Sequence, residues 1–305
     1  MTRIASFALV GLFLVLASLP LAADNVPAQP AMKVPVRVMD KQGNPVMNLK
    51  MENFTLQLDK KPVGLASCNG PESPVLIPLV FDTTGDLTYI DAIRKELVKA
   101  IQGLPPNVQL MVLTANDGLK VVQNNTGDKA LLTQAITTYN TKGYPGFMEN
   151  VLNVAEQMHK LQANHTIRVC PILITDSEIY RYRKQYTTAD FNTEADRYES
   201  KLKETSVPLF VVRLPIGNND QFNRNYEGAI REMVRVTGGE AEFPMGVTGV
   251  PVALSNTLRR IMGTYILGFT SPDLKPGKEQ RIKVELQGAA GDVDVEYQKN
   301  IKPRK

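Results

Sequence analysis

The residues best equipped for chemistry lie at the ends of two apolar runs. Pro74-Val75-Leu76-Ile77-Pro78-Leu79-Val80-Phe81 leads into Asp82-Thr83-Thr84-Gly85-Asp86, where two carboxylates and two hydroxyls follow the last apolar side chain. Ile167-Arg168-Val169-Cys170-Pro171-Ile172-Leu173-Ile174-Thr175 leads in the same way into Asp176 and Ser177. Runs of this kind, without polar alternation, read as strands covered on both faces, as in a parallel sheet flanked by helices. Open sheets of that type bind ligands at the carboxyl ends of their strands. If the two strands are neighbours, Asp82 and Asp176 converge on one crevice whose functional groups are carboxylate and hydroxyl oxygens.

The elements that must position this crevice alternate along the middle of the chain, which predicts a doubly wound α/β domain. Ile90, Ile93, Leu97 and Ile101 have helical spacing, and Gly103 ends that helix. Val108 to Leu113 reads as a second strand, Asn116-Asp117-Gly118 as a tight turn, and Leu119 to Val122 as an antiparallel edge. A helix over about Lys129 to Tyr139, a turn-rich loop at residues 140–146, and a helix through Val151, Val154, Met158 and Leu161 precede the Asp176 strand. After it come a helix, the strand Val207 to Leu214, a helix through Ile230 and Met233, Thr237-Gly238-Gly239, and a last helix ending near Met262.

Both ends of the chain have a different texture. Val34-Pro35-Val36-Arg37-Val38 and Phe54-Thr55-Leu56-Gln57-Leu58 alternate, and the same texture returns in Tyr265 to Phe269, Gln280 to Leu286 and Asp292 to Tyr297, as in half-exposed antiparallel strands. Neither end alone holds enough strands for a stable sheet pair. The two ends are therefore expected to meet in one small β-sandwich into which the α/β domain is inserted. The expected division is a signal peptide at 1–23, the N-terminal half of the sandwich at 24–70, the α/β domain at 71–263, and the C-terminal half with the tail at 264–305.

The leader carries Arg3, an apolar stretch from Ile4 to Leu19, and Leu21-Ala22-Ala23 before the first acid, Asp24. That is the layout of a cleaved secretory signal. The competing reading, an uncleaved anchor, has an apolar core short of the ~20 residues a spanning helix needs. A periplasmic or secreted protein with no membrane span after cleavage is expected. The 305-residue chain has a formal charge of +4 and 43% apolar residues, which suits a large core and does not suit a nucleic-acid protein with a clustered basic face. Its two cysteines, Cys68 and Cys170, leave two readings open: a disulfide in an oxidising compartment, or two thiols, the second buried.

In this order and spacing, Asp40-Lys41-Gln42-Gly43-Asn44-Pro45-Val46, Phe54, Phe81-Asp82-Thr83-Thr84-Gly85-Asp86, Ile174-Thr175-Asp176, Val236-Thr237-Gly238-Gly239 and Tyr265-Ile266-Leu267-Gly268-Phe269 resemble the von Willebrand factor A family, and in particular its bacterial exported members. The resemblance covers nearly all of the mature chain. It implies a Rossmann-like domain and a metal-ion-dependent adhesion site, in which Asp82 matches the first acid, Thr84 replaces the first serine, and Asp176 matches the last acid. Two positions depart from the pattern: Asp86 stands for the second serine, and Pro145 for the threonine, with Thr141 and Glu149 as nearby substitutes. A divalent cation (Mg²⁺, Mn²⁺ or Ca²⁺) on Asp82, Thr84, Asp86 and Asp176 is the implied cofactor, since hard cations take oxygen ligands and leave a position for a partner's acid.

The implied activity is non-catalytic binding of a protein partner. Tyr180, Arg181, Tyr182 and Arg183, which follow Asp176 closely, are the candidate docking residues because tyrosine and arginine dominate interface energetics. The alternative for them is to cover the sheet edge and balance the acids. Two rival functions stay open. One is a structural scaffold without metal. The other is a phosphoryl-transfer enzyme using Asp82 as nucleophile with Thr114 as a phosphate ligand, since the Asp82 loop also resembles that of haloacid-dehalogenase-type enzymes. His159 and His165 read as surface residues.

Overall fold

The structure, a computed structural model, describes residues 32–83, 87–143, 146–176, 188–214, 221–288 and 292–304. The chain opens with four strands, β1 (Met32–Asp40), β2 (Phe54–Leu58), β3 (Lys61–Val63) and β4 (Leu65–Asn69). It continues through β5 (Val75–Asp82), α1 (Leu87–Gln102), β6 (Val108–Thr114), β7 (Lys120–Thr126), α2 (Lys129–Thr138), α3 (Phe147–Asn164), β8 (Arg168–Val169), β9 (Ile172–Thr175) and α4 (Thr188–Leu202). Next come β10 (Phe210–Arg213), α5 (Gln221–Val236), β11 (Glu240–Glu242) and α6 (Val250–Met262). It closes with β12 (Thr264–Phe269), β13 (Gln280–Leu286), β14 (Val293–Tyr297) and β15 (Asn300–Ile301).

The middle of the chain is a doubly wound α/β domain. Its sheet runs β11-β10-β9-β5-β6-β7, with β8 also pairing β5. All these pairings are parallel except that of β7, the antiparallel edge. Every residue of β5 is buried, as an unalternated apolar run requires. Leu76 and Val80 pack with Leu173, Val211 and α3 on one face, while Ile77, Leu79 and Phe81 pack with α1, α2 and α6 on the other. Full burial of each such side chain contributes ~1.5–3 kcal/mol, so the centre of this sheet is its most firmly fixed part. The strand order reverses between β5 and β9, and Asp82 and Asp176 follow from that point.

The two ends of the chain meet. β1 pairs antiparallel with β12 and β14, and β12 with β4, giving the order β14-β1-β12-β4; a second sheet runs β15-β13-β2-β3. Val34, Val36, Val38, Leu56, Leu58, Leu267, Phe269 and Ile282 share one core between the sheets. Two strands depart from the expected half-exposed pattern, since β12 is buried along its whole length and β1 is buried on both faces. Its second face, with Lys33, Pro35 and Arg37, packs against the α/β domain. Lys33 Nζ donates to the Gln162 and His165 carbonyl oxygens. Burial lowers its pKa.

Arg168 ties the junction together. It is fully buried, and its Nη1 donates to the carbonyl oxygens of Ile261 (3.2 Å) and Thr264 (2.9 Å), its Nη2 to those of Pro71 (2.9 Å) and Ser73 (3.2 Å). Those carbonyls belong to the two crossings by which the chain enters and leaves the α/β domain.

The disulfide reading is corrected by the structure, in which both cysteines are free. Cys68 lies in β4 beside Leu267, against the sandwich core, and Cys170 is sealed in the α/β core, its amide bonded to the Leu76 carbonyl. β4 joins the sandwich sheet rather than the central one, so the thiols belong to different cores. Burial pushes them up to about 11 and about 12.

His159 is also not a free surface side chain, since its Nδ1 accepts the Ser206 amide at 3.1 Å. Burial, and after it the charges of Arg304, Lys33 and Lys160, lower its pKa from 6.5 to about 4. Above 6.5 both folded and unfolded chains hold this imidazole neutral; below it the unfolded chain takes the proton first, which favours unfolding. The His159 contribution to stability is therefore present at neutral pH and lost as pH falls through the window from about 6.5 to about 4. Urea unfolding at pH 7 and pH 4.5 should show a smaller drop in His159→Gln than in the native chain, and equal drops would refute the assignment.

Candidate functional site

β5 and β9 run parallel in the register Asp82 opposite Thr175, so that both chains exit at the same edge of the sheet. The Asp176 amide donates to the Asp82 carbonyl at 3.3 Å, which carries the pairing one step past the strands. Asp82 and Asp176 are each 1% exposed. They stand at the reversal of strand order, the place where open α/β sheets bind ligands.

Both oxygens of the Asp82 carboxylate accept hydrogen bonds. Oδ1 accepts the Gly146 amide at 2.7 Å, and Oδ2 accepts the Thr175 hydroxyl at 2.9 Å. Gly146 is the N-cap of the 18-residue α3, and it makes no side-chain cap bond of its own. The carboxylate thus sits at a helix N-terminus, where free amides and the macrodipole favour negative charge. Thr175 is placed to donate because strand register puts it directly opposite Asp82.

Two asparagines complete this edge. Asn116 follows β6, and its Nδ2 donates to the carbonyls of Thr83 (2.9 Å) and Lys142 (3.4 Å). Asn150 lies one turn into α3, and its Nδ2 donates to the carbonyls of Ala115 (3.1 Å) and Gly146 (2.7 Å). Both side chains are buried, and together with Asp82 they fix the loop before α3 against the ends of β5 and β6. On the other face of the sheet Tyr139 stacks on Phe81 with ring centroids 4.1 Å apart, beneath the Arg94 guanidinium. Burial is the main cause that raises the Tyr139 phenol to about 12, and Asp176 adds to it. The Thr83 hydroxyl works against the rise of the Tyr139 phenol, and Asn116 Oδ1 is buried without a hydrogen-bond partner among the described residues.

Of the sequence-derived site residues, the structure brings Asp82 and Asp176 to one edge. Thr84, Asp86, Pro145 and the Tyr180, Arg181, Tyr182, Arg183 segment lie outside the described residues, as does the side chain of Glu149. Thr114 ends β6 in register with Phe81, and is buried. Thr175, Asn116, Asn150 and the Gly146 amide were not singled out from the sequence. The donor set suits a hard cation in kind: carboxylates with a buried hydroxyl, that of Thr83, beside them. Among the described residues no group of three or more His, Cys, Asp or Glu gathers.

No family model matches the sequence, and no curated protein sequence matches it. Solved structures do. The PilB minor pilin from Streptococcus sanguinis is 12% identical with a TM-score of 0.48; the match covers 63% of this chain and 62% of that one, less than two thirds of the pilin. A von Willebrand factor type A protein from Catenulispora acidiphila is 10% identical with a TM-score of 0.45, over 91% of this chain and 74% of that one. Proximal thread matrix protein 1 from the mussel byssus, in a structure described as having a zinc-occupied MIDAS motif, is 10% identical with a TM-score of 0.45, over 66% of this chain and 49% of that one. These likenesses concern fold alone. The sheet order, numbered from β5 as the first strand of the domain, is 3-2-1-4-5-6 with the third strand antiparallel at the edge. Held between the two halves of an antiparallel sandwich, this chain's middle is a Rossmann-like doubly wound α/β domain.

Proposed function

We propose that the chain is an exported, non-catalytic binding protein that takes a protein partner at the carboxyl edge of its α/β sheet. The observation that carries this reading is the placement of two buried carboxylates, Asp82 and Asp176, at the reversal point of a doubly wound sheet. Export rests on the leader sequence at 1–23. The working division of the remainder is 24–70 and 264–305 as one sandwich and 71–263 as the binding domain. No helix among the described residues is long and apolar enough to cross a membrane.

A divalent cation would be held by Asp82, Thr84, Asp86 and Asp176, and its chemistry would be that of a Lewis acid offering a coordination position to a partner's carboxylate. Tyr180, Arg181, Tyr182 and Arg183 would flank that position, since they follow Asp176 closely in sequence. Asp82, 1% exposed with a donor on each oxygen, is better suited to holding the chain than to attacking a phosphate.

The same pair of hydrogen bonds favours a second reading. With the α3 N-terminus and Thr175 already opposing its charge, Asp82 can serve as a fixed structural link, and the domain as a scaffold without metal. Thermal unfolding with saturating Mg²⁺, Mn²⁺ or Ca²⁺ separates the two. Cation binding at ~100 times Kd should add ~2.7 kcal/mol, and Asp86→Ala should abolish the gain while leaving the cation-free midpoint in place. A midpoint unmoved by all three ions sinks the metal reading. Asp82→Ala should cost on the order of 3 kcal/mol in either case, because it removes two hydrogen bonds to a charged acceptor.

A further inference from the structure

The edge of the sheet opposite Asp82 carries a different kind of site. There β11 begins, α6 ends, and β1 and β14 of the sandwich pack against both. Their junction encloses a cavity of about 280 Å³ whose basic wall is Arg37, Lys41, Arg259 and Arg260, with Asn256 beside them. Four carboxylates, Asp40, Glu240, Asp294 and Glu296, also line it.

The wall is neutral by count, but internal pairing removes the two signs unequally. Asp40 accepts from Asn44 and the Gln42 amide, Asp294 from Lys41, and Glu240 from both Arg37 and Arg260. Glu296 pairs with Arg37. Each carboxylate thus has a donor. On the cationic side Arg260 also pairs with Glu242 outside the cavity, while Arg259 is exposed and makes no side-chain hydrogen bond or ion pair among the described residues. Arg37 is 3% exposed, and its Nη1 is buried with no hydrogen-bond partner among the described residues, while Nη2 serves both glutamates. A buried guanidinium nitrogen left without an acceptor loses its hydration for no return. Burial lowers the Arg37 pKa, with Glu240 opposing the shift, so the group stands to gain from a further anionic neighbour.

We infer that this interdomain cavity is a binding site for a small oxyanion, a carboxylate or phosphate group, held by the Arg37 and Arg259 guanidinium groups. Guanidinium forks match planar carboxylate and phosphate oxygens better than any other side chain. The volume admits a small molecule or a single acidic group. Glu296, 63% exposed along its side chain and bound only at its tip to Arg37, is the rim group that an entering oxyanion displaces. Exposed ion pairs of that kind hold weakly. Because the cavity is walled by both domains, a bound oxyanion would also hold them together.

The site is tested on the mature chain by thermal unfolding and calorimetric titration with sodium phosphate, citrate and acetate as probes, against sodium chloride at matched ionic strength. A saturable rise in midpoint with at least one oxyanion, absent with chloride, is expected. Arg259→Gln should weaken its apparent affinity about tenfold or more, as loss of a charge-assisted contact does. Glu296→Gln should strengthen it by freeing Arg37. Phosphate without the carboxylates, or the reverse, identifies the group preferred. No saturable response to any of the three, or one that Arg259→Gln leaves unchanged, overturns the assignment; Arg259 is exposed, so its variant folds whether or not Arg37 tolerates replacement.

Discussion

Arg168→Met is expected to lower the free energy of unfolding by on the order of 4 kcal/mol. Four carbonyl oxygens lose a charged donor at once, those of Pro71 and Ser73, which keep only the Asn107 side-chain amide, and those of Ile261 and Thr264, and each buried group left unsatisfied costs ~1–3 kcal/mol. Methionine returns part of that through its apolar burial, which keeps the net below the sum. Against a typical total of ~5–15 kcal/mol the loss is a large fraction. The location adds a second signature. Since the guanidinium joins the entry and exit crossings of the α/β domain, its removal uncouples the sandwich from the domain, and urea unfolding followed by two probes should change from coincident to separate transitions. Arg168→Lys should recover little, because one ammonium cannot reach four acceptors lying on two segments. A loss below ~1 kcal/mol with coincident transitions would sink the junction role.

How far this was legible in the sequence depends on which physical term set each position. The long apolar run into Asp82 fixes a doubly covered strand without help from context, and the matching run into Asp176 fixes its neighbour, so the crevice follows from pattern alone. Arg168 sits inside the second run and breaks no pattern. Nothing local distinguishes an arginine that reaches four carbonyls across the fold from one at a strand's wet end. Asn150 carried a usable signal: it falls in the stripe Phe147, Val151, Val154 and Met158 that faces the core, and a polar residue there must find acceptors. Asn116 gave no such cue, since an Asn-Asp-Gly turn is sufficient reason for an asparagine.

Other misreadings came from tertiary context. Alternation marked β1 as half-exposed, yet its second face is covered because the α/β domain folds back on it, a contact more than a hundred residues away in sequence. A Cys68–Cys170 disulfide would need both cysteines at one edge of a single sheet. β4 crosses instead to the sandwich, and strand membership of that sort is decided by packing rather than by the residues of the strand. The oxyanion cavity was invisible for the same reason, since its wall comes from β1, β14, β11 and α6.

Gly239→Ala is expected to prevent the chain from folding. A Cβ built at that position would lie 1.7 Å from the Leu209 carbonyl oxygen and 2.5 Å from its carbonyl carbon. Those are backbone atoms at the start of β10, held by the Phe210 amide bond to Pro171 and by the parallel pairing with β9 and β11. A flexible side chain could swing away; a central strand cannot, and overpacking against it exceeds the ~1–3 kcal/mol of ordinary cores. Gly238, its neighbour, fails for another reason. Its φ is +76°, and an added Cβ would meet Pro35 Cγ and the Gln298 amide at 3.0 Å, both in the sandwich. Ala at 238 should therefore cost ~1–2 kcal/mol for the left-handed backbone, plus a strained domain contact, and still leave a folded chain. The pair Gly238-Gly239, conspicuous in the sequence, thus has two separate physical causes: one lets β11 approach β10, the other lets the domains close. Circular dichroism and urea titration of the two variants should give an unfolded or insoluble Gly239→Ala and a weakened but cooperative Gly238→Ala; a native-like Gly239→Ala would mean that β11 does not approach β10 as closely as the pairing requires.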